Sequence, residues 1–394
     1  MKAFVSGLLL MCMLFCMVGC NLAGHTDSHT DALTDESEVA QESTEIETEE
    51  VGVESIVPQD EAYIKWFGRI DKLKDGSVGF DYTASGFEVK FRGSRLAFTL
   101  DSTEYSSDTY RAYVTVIIDG EDYRTADYYA LDEQNKLITL DLSEGVHTVR
   151  VLKRSEAMRS RAFLKNIDTD GVFLKSEPRR DRYIEFYGDS ITCGYGNMST
   201  DTNTPFKTET EDGLATYAFI TAETLGAECS VISQSGIAIN KNVYEDTLNL
   251  PMLAGRTSFT DTTPYKSERQ PDAVVIYGGV NDKNYLLATS DTAERAVREQ
   301  AFVDSYASFL TDILMRNPDV AIFCCSNLYS EGLSMGMLIK KAIEKVGSDN
   351  VYYVSLTPKN PDDGIGSQGH PTYKSHEIAA DDLTAVIKQK MNWQ

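Results

Sequence analysis

Between Trp66 and about Leu174, apolar and polar residues alternate in short runs broken by turn residues. Gly86-Phe87-Glu88-Val89-Lys90-Phe91-Arg92 has period two, Gly93-Ser94 interrupts it, and Arg95 to Leu100 resumes it. Tyr113 to Ile118 runs into Asp119-Gly120, a pair that accepts the positive φ of tight hairpins. Leu137 to Leu140, Gly145 to Leu152 and Gly171 to Leu174 continue the series. Strands of this length and spacing predict an all-β sandwich over residues 61–178.

After Pro178-Arg179-Arg180 the rhythm changes. Short apolar runs at Ile184 to Tyr187, Ala227 to Ile232, Ala273 to Tyr277, Val320 to Cys325 and Val351 to Val354 predict buried strands. Helical patterns separate or follow them at Leu214 to Thr224, Ala293 to Met315, Gly332 to Val346 and Ser375 to Met391. Alternation of this kind predicts an α/β domain over 179–394, a parallel sheet between two layers of helices.

Composition adds an N-terminal segment to this picture. Lys2 followed by the apolar run Ala3 to Val18 is too short to span a bilayer comfortably and reads as a targeting leader over residues 1–20. Its end, Met17-Val18-Gly19-Cys20, resembles a bacterial lipobox, which marks Cys20 for lipidation; an ordinary secretory signal is the alternative. The expected location is therefore the cell surface, anchored at Cys20, or the medium. Twelve of the acidic residues fall between Asn21 and Asp60, where there is no Lys or Arg. That stretch, 21–60, is too poor in apolar residues to fold alone and reads as an extended tether. The net charge of −24 and the lack of a Lys/Arg cluster argue against a nucleic-acid partner. Cys193, Cys229, Cys324 and Cys325 show no metal-ligand spacing, so no metal is expected.

The break at Gly188-Asp189-Ser190 places a serine at the carboxyl end of a predicted strand, where open α/β sheets bind their ligands. A hydrolytic serine needs a base, and the chain has five histidines. His25 and His29 lie in the tether, His147 in a β strand, and His376 at the start of the last helix, a capping or surface position. His370, in Gly369-His370-Pro371, is left as the partner of Ser190. Two further strand ends offer donors for a developing oxyanion. Ile232-Ser233-Gln234-Ser235-Gly236 presents a glycine N–H, and Gly278-Gly279-Val280-Asn281-Asp282 presents an amide. Tyr195, Tyr285 and Tyr329 follow strand ends and could stack on a ligand, although tyrosine is common here.

Taken in order, Gly188-Asp189-Ser190, Gly236, Gly279-Val280-Asn281-Asp282 and His370 resemble the SGNH (GDSL-type) hydrolase superfamily. That resemblance implies a catalytic pair, Ser190 and His370. It also implies an oxyanion hole made by the N–H groups of Ser190 and Gly236 and the Asn281 side chain, with no cofactor. Gly68-Arg69, Phe91-Arg92-Gly93, Val116 to Gly120 and Leu152-Lys153-Arg154-Ser155-Glu156-Ala157 are similar to carbohydrate esterase family 2, which joins a jelly-roll β domain to an SGNH domain. This implies deacetylation of plant polysaccharides such as xylan or glucomannan. The superfamily's usual aspartate three residues before the histidine is Ser367 here. A backbone carbonyl could orient the imidazole instead, giving a Ser-His dyad, or Asp362 or Asp363 could fold back. The competing readings are a non-catalytic carbohydrate-binding lipoprotein and a GDSL-type lipid esterase.

Overall fold

The computed structural model describes residues 51–244, 247–267, 269–329 and 335–394. The leader, Cys20 and most of the tether lie outside them. Nine strands form one antiparallel sheet. They are β1 (Ile64–Phe67), β2 (Ile70–Lys72), β3 (Val78–Phe80), β4 (Gly86–Ser102), β5 (Tyr113–Ile118), β6 (Tyr128–Ala130), β7 (Lys136–Lys153), β8 (Ala162–Thr169) and β9 (Val172–Leu174). The order is β2-β3-β8-β4-β7-β5-β6, and β1 and β9 also pair with β4. The alternating faces bury an aromatic core that includes Trp66, Phe80, Phe87, Phe91 and Phe98. Phe87 and Phe98 meet edge to face, with centroids 5.7 Å apart, the arrangement ring quadrupoles favour.

Two details differ from the alternation pattern. Gly93-Ser94 is not a turn: β4 runs through it, and the glycine faces Gly145 of β7 beside a register shift between Gly93 and Arg95. A glycine pair at a bulge bends both strands together without ending either. The four runs expected on either side of these glycines are therefore two long strands. Val53 and Ile56, from the acidic stretch, also join the fold, Val53 by bridging Phe173 and Ile56 by entering the core.

The second sheet is parallel and contains β10 (Arg182–Gly188), β11 (Ala227–Ser233), β12 (Ala273–Tyr277), β13 (Ala321–Ser326) and β14 (Val351–Ser355), in the order β11-β10-β12-β13-β14. Around it lie α1 (Ser190–Cys193), α2 (Tyr217–Thr224), α3 (Leu250–Ala254), α4 (Val280–Leu287), α5 (Thr292–Arg316), α6 (Met335–Val346) and α7 (Tyr373–Met391). α2 and α7 cover one face, and α3, α5 and α6 the other. Being covered on both sides makes the strands continuous apolar runs rather than alternating ones. This strand order reverses between β10 and β12, and the crevice outside that reversal is where such sheets take ligands. β10 leads into α1, which begins at Ser190, and β12 leads into α4, which carries Asn281. No helix among the described residues is long and apolar enough to cross a membrane.

The two sheets share cores. Phe67, Ala84, Ile117 and Leu152 from the antiparallel part pack into the cluster under α2 and α7, and Tyr82 and Ala157 into the opposite one.

Candidate active site

The turn that presents Ser190 is built from its neighbours. A Cβ on Gly188 would lie 1.9 Å from the Thr192 hydroxyl, so only glycine lets the strand turn so sharply into α1. Asp189 caps α1, its Oδ1 accepting the Ile191 N–H at 3.0 Å. Ser190 is the first residue of the helix, where backbone N–H groups have no partner inside the helix. Complete burial pushes the Asp189 carboxyl up to about 7, the Ile191 N–H opposing and Asp282 adding to the rise.

His370 meets this turn from the loop before α7. The Ser190 hydroxyl donates to Nε2 at 2.9 Å, and Nδ1–H donates to the Ser367 carbonyl at 3.1 Å. A carbonyl can only accept, so it places the proton on Nδ1 and leaves the Nε2 lone pair facing the serine. Asp362 and Asp363 do not bond the imidazole; the Asp363 carbonyl instead takes the Thr372 hydroxyl at 3.0 Å. The loop is fixed by backbone bonds, Gly366 N–H to the His370 carbonyl at 2.8 Å and Ser367 N–H to the Gly196 carbonyl at 3.2 Å. Burial pulls the imidazole down to about 4, the Ser367 carbonyl opposing this and the nearby Lys359 ammonium assisting it.

The donor side follows β11 and β12. Gly236 has φ +80°, and a Cβ there would meet nothing within 4 Å, so the left-handed turn, not crowding, calls for glycine. Asn281 donates one amide hydrogen to the Ile237 carbonyl at 2.8 Å, which ties it to the Gly236 loop and leaves the other hydrogen of that amide for a ligand. Nothing in the sequence marks the adjoining Asp282 as more than a loop residue. Its carboxylate accepts the N–H groups of Ile239, Asn240 and Lys241 at 2.9, 2.8 and 3.1 Å. Burial raises it to about 6, and those three donors hold it down against further rise. Three N–H donors in succession are what a buried carboxylate needs in order to clamp a loop.

Of the three tyrosines, Tyr195 stacks on Phe206, with centroids 3.9 Å apart, and lies 4.4 Å from the His370 ring. Tyr329 lies 5.9 Å from that ring. Tyr285 is covered by Arg298 and Lys241 at 4.1 and 5.2 Å. His376 is not at the surface. It is buried, accepts the Tyr217 N–H on Nδ1 at 3.2 Å and lies parallel to the Tyr217 ring, because α7 turns its first residues onto α2. His147 bonds Asp119 at 2.7 Å and the Ser143 carbonyl at 2.8 Å inside the antiparallel sheet. The four folded-region cysteines are buried and free. Cys20 lies outside the described residues.

Residues 66–178 match the family model described as carbohydrate esterase 2 N-terminal, and residues 184–383, more than half the chain, match that described as GDSL-like lipase/acylhydrolase. The chain is 29% identical over 348 residues to a cellulase/esterase, CelE, of Acetivibrio thermocellus, covering 85% of this chain and 40% of that relative. It is 26% identical over 345 residues to an acetylxylan esterase/glucomannan deacetylase of Cellvibrio japonicus, covering 84% of this chain and 90% of that protein. Among solved structures, a family two carbohydrate esterase from Clostridium thermocellum in complex with cellohexaose superposes with a TM-score of 0.73 at 27% identity, over 84% of this chain and 100% of that one. The chain therefore belongs to the GDSL-like lipase/acylhydrolase family, with the N-terminal module of carbohydrate esterase family 2 in front of that domain.

Proposed function

We propose that the chain is a serine esterase that removes O-acetyl groups from plant cell-wall polysaccharides of the xylan or glucomannan type through a Ser190–His370 dyad. The observation that carries this is the His370 geometry: Nε2 2.9 Å from the Ser190 oxygen, with Nδ1 held by the Ser367 carbonyl. His370 takes the hydroxyl proton as Ser190 attacks the acetyl carbonyl. The N–H groups of Ser190 and Gly236 and the free Asn281 hydrogen receive the tetrahedral oxyanion. The intermediate collapses, its bond to the sugar oxygen breaks, and that oxygen takes the proton from His370. Water, deprotonated by the same imidazole, then releases acetate from Ser190.

The substrate class rests on the relatives named above, and the cellohexaose complex of one of them supports a β-linked glycan chain lying across this cleft. The antiparallel region is read as a jelly-roll sandwich, a reading supported by its nine antiparallel strands and single aromatic core. The chain's location is proposed as the cell surface, anchored at Cys20. Ser190→Ala is expected to lower acetate release from acetylated xylan and from p-nitrophenyl acetate by roughly 10⁴-fold or more. Retained turnover would end the assignment.

A further inference from the structure

The segment Lys153-Arg154-Ser155-Glu156 leaves the last residue of β7 and is buried throughout, although it carries three charges. Burying charge is costly unless each group is paired, so the segment must have partners that repay it. It finds some of them within its own segment and at Arg159, and the others in the loops of the other domain. Glu156 is fully buried, and its Oε2 accepts the Ser235 N–H at 2.7 Å, one residue before Gly236. The Cys193 thiol, three residues after Ser190, donates to the same oxygen at 3.5 Å. Oε1 accepts from Arg159 Nε at 3.0 Å, and the Glu156 N–H donates to Glu211 at 2.9 Å. The Lys153 ammonium donates to the carbonyls of Ser155 and Glu156 at 2.6 and 3.1 Å, fixing the segment's own backbone. Arg154 bonds Asp212 at 2.8 Å, and Asp212 is in turn held by Asn197 in the loop that follows Ser190.

We infer that Glu156 is a positioning residue for the oxyanion hole, and that the antiparallel domain is thereby a working part of the active site. The carboxylate joins the turn carrying Ser190 to the loop carrying Gly236. A charged acceptor on the Ser235 N–H fixes the Gln234–Ser235 peptide, the one just before the peptide that carries the Gly236 N–H, and so restricts the direction of that next N–H. Asp282 and Asn281 hold that loop from its far side, at Ile237 to Lys241, so Gly236 lies between two clamps, one from each domain. Misplacing such a donor by an ångström costs rate, not ground-state affinity.

The inference rests on the proposed esterase activity, and the experiment separates the two. Wild type, Ser190→Ala, Glu156→Ala and Glu156→Gln, each shown folded by its melting curve, are assayed on p-nitrophenyl acetate and on acetylated xylan. Glu156→Ala is expected to lower kcat about 10- to 100-fold with KM within about threefold. The loss should match on both esters, because the carbonyl oxygen is common to them. Glu156→Gln keeps an oxygen for the Ser235 N–H and is expected to stay within about fivefold of wild type. A loss confined to acetylated xylan, or a Gln variant as impaired as the Ala variant, would overturn the inference. Activity retained in Ser190→Ala would overturn the esterase reading instead. If Glu156→Ala fails to fold, Glu156→Asp decides the matter. It keeps the charge but is too short for the Ser235 N–H, so a tenfold lower kcat supports the role and an unchanged kcat refutes it.

Discussion

Ser190 opens the short helix just beyond β10, a strand paired on both sides, whereas His370 stands on a loop between β14 and α7 tied down by backbone bonds. On the serine side, carboxylates hold backbone: Asp189 takes the Ile191 N–H, Asp282 takes three N–H groups of the Gly236 loop, and Glu156 takes that of Ser235. On the histidine side the arrangement is reversed, and a backbone carbonyl holds the side chain. A carboxylate beside an imidazole would both orient it and stabilise the imidazolium formed during acyl transfer; a carbonyl orients it and supplies little of the second effect. The difference locates where this site uses its carboxyl groups, on the backbone of the turns carrying Ser190 and Gly236 and not behind the imidazole.

Breaking the serine side is expected to have the larger effect. Asn281→Ala removes one of the donors proposed for the oxyanion and also the bond to the Ile237 carbonyl. It should lower kcat by about 10²- to 10³-fold while KM changes little, read in steady-state assays on p-nitrophenyl acetate. A variant with unchanged kcat would place the oxyanion elsewhere.

The histidine side is sharpened by pH. The base must be the neutral imidazole, and burial with no carboxylate partner pulls His370 down to about 4. The neutral form therefore persists as pH falls through 6.5, and the acid limb of kcat/KM is expected to have its midpoint near 4. A limb near 6.5 or above that persists in Asp189→Asn, which removes the other group titrating there, would mean that a carboxylate supports the imidazole after all. The same shift has a stability consequence with a definite sign. The unfolded chain binds protons at His370 and His376 near pH 6.5, whereas burial holds the folded-state values to about 4 and about 3. Between those values and 6.5 the unfolded state takes up more protons, so these two residues make the fold less stable as pH drops through that window.

Much of the parallel domain was legible because its strands are short, continuous apolar runs and its long helices are periodic; α5 and α7 differ from the pattern by a residue or two at their ends. α4 was not legible. Its sequence Val-Asn-Asp-Lys-Asn-Tyr-Leu-Leu has little apolar face, and it buries only Asp282 and Leu286. In the antiparallel domain glycine reads as punctuation at Gly93, yet the chain bends there without stopping. Ser190 and His370 could be paired by elimination because histidines are few and both residues leave strand or helix ends. Glu156 could not, since nothing local in Arg154-Ser155-Glu156 shows that a glutamate at the end of one domain reaches a peptide N–H in the other. The burial of His376 is hidden for a related reason: a helix start looks exposed until the helix packed against it is known.

The smallest expected effect bears on the same contrast from the histidine side. Ser367 occupies the position of the superfamily's usual aspartate, is fully buried, and has no partner for its hydroxyl among the described residues. Its carbonyl, not its side chain, holds Nδ1, and its N–H bonds the Gly196 carbonyl. Ser367→Ala keeps both backbone groups and removes a buried hydroxyl that has no bond to lose. The variant should keep kcat within about threefold of wild type and melt at the same temperature or slightly above it. A tenfold loss would show that the hydroxyl itself supports the imidazole, and the base would then depend on a side chain as the usual triad does, only through serine in place of aspartate.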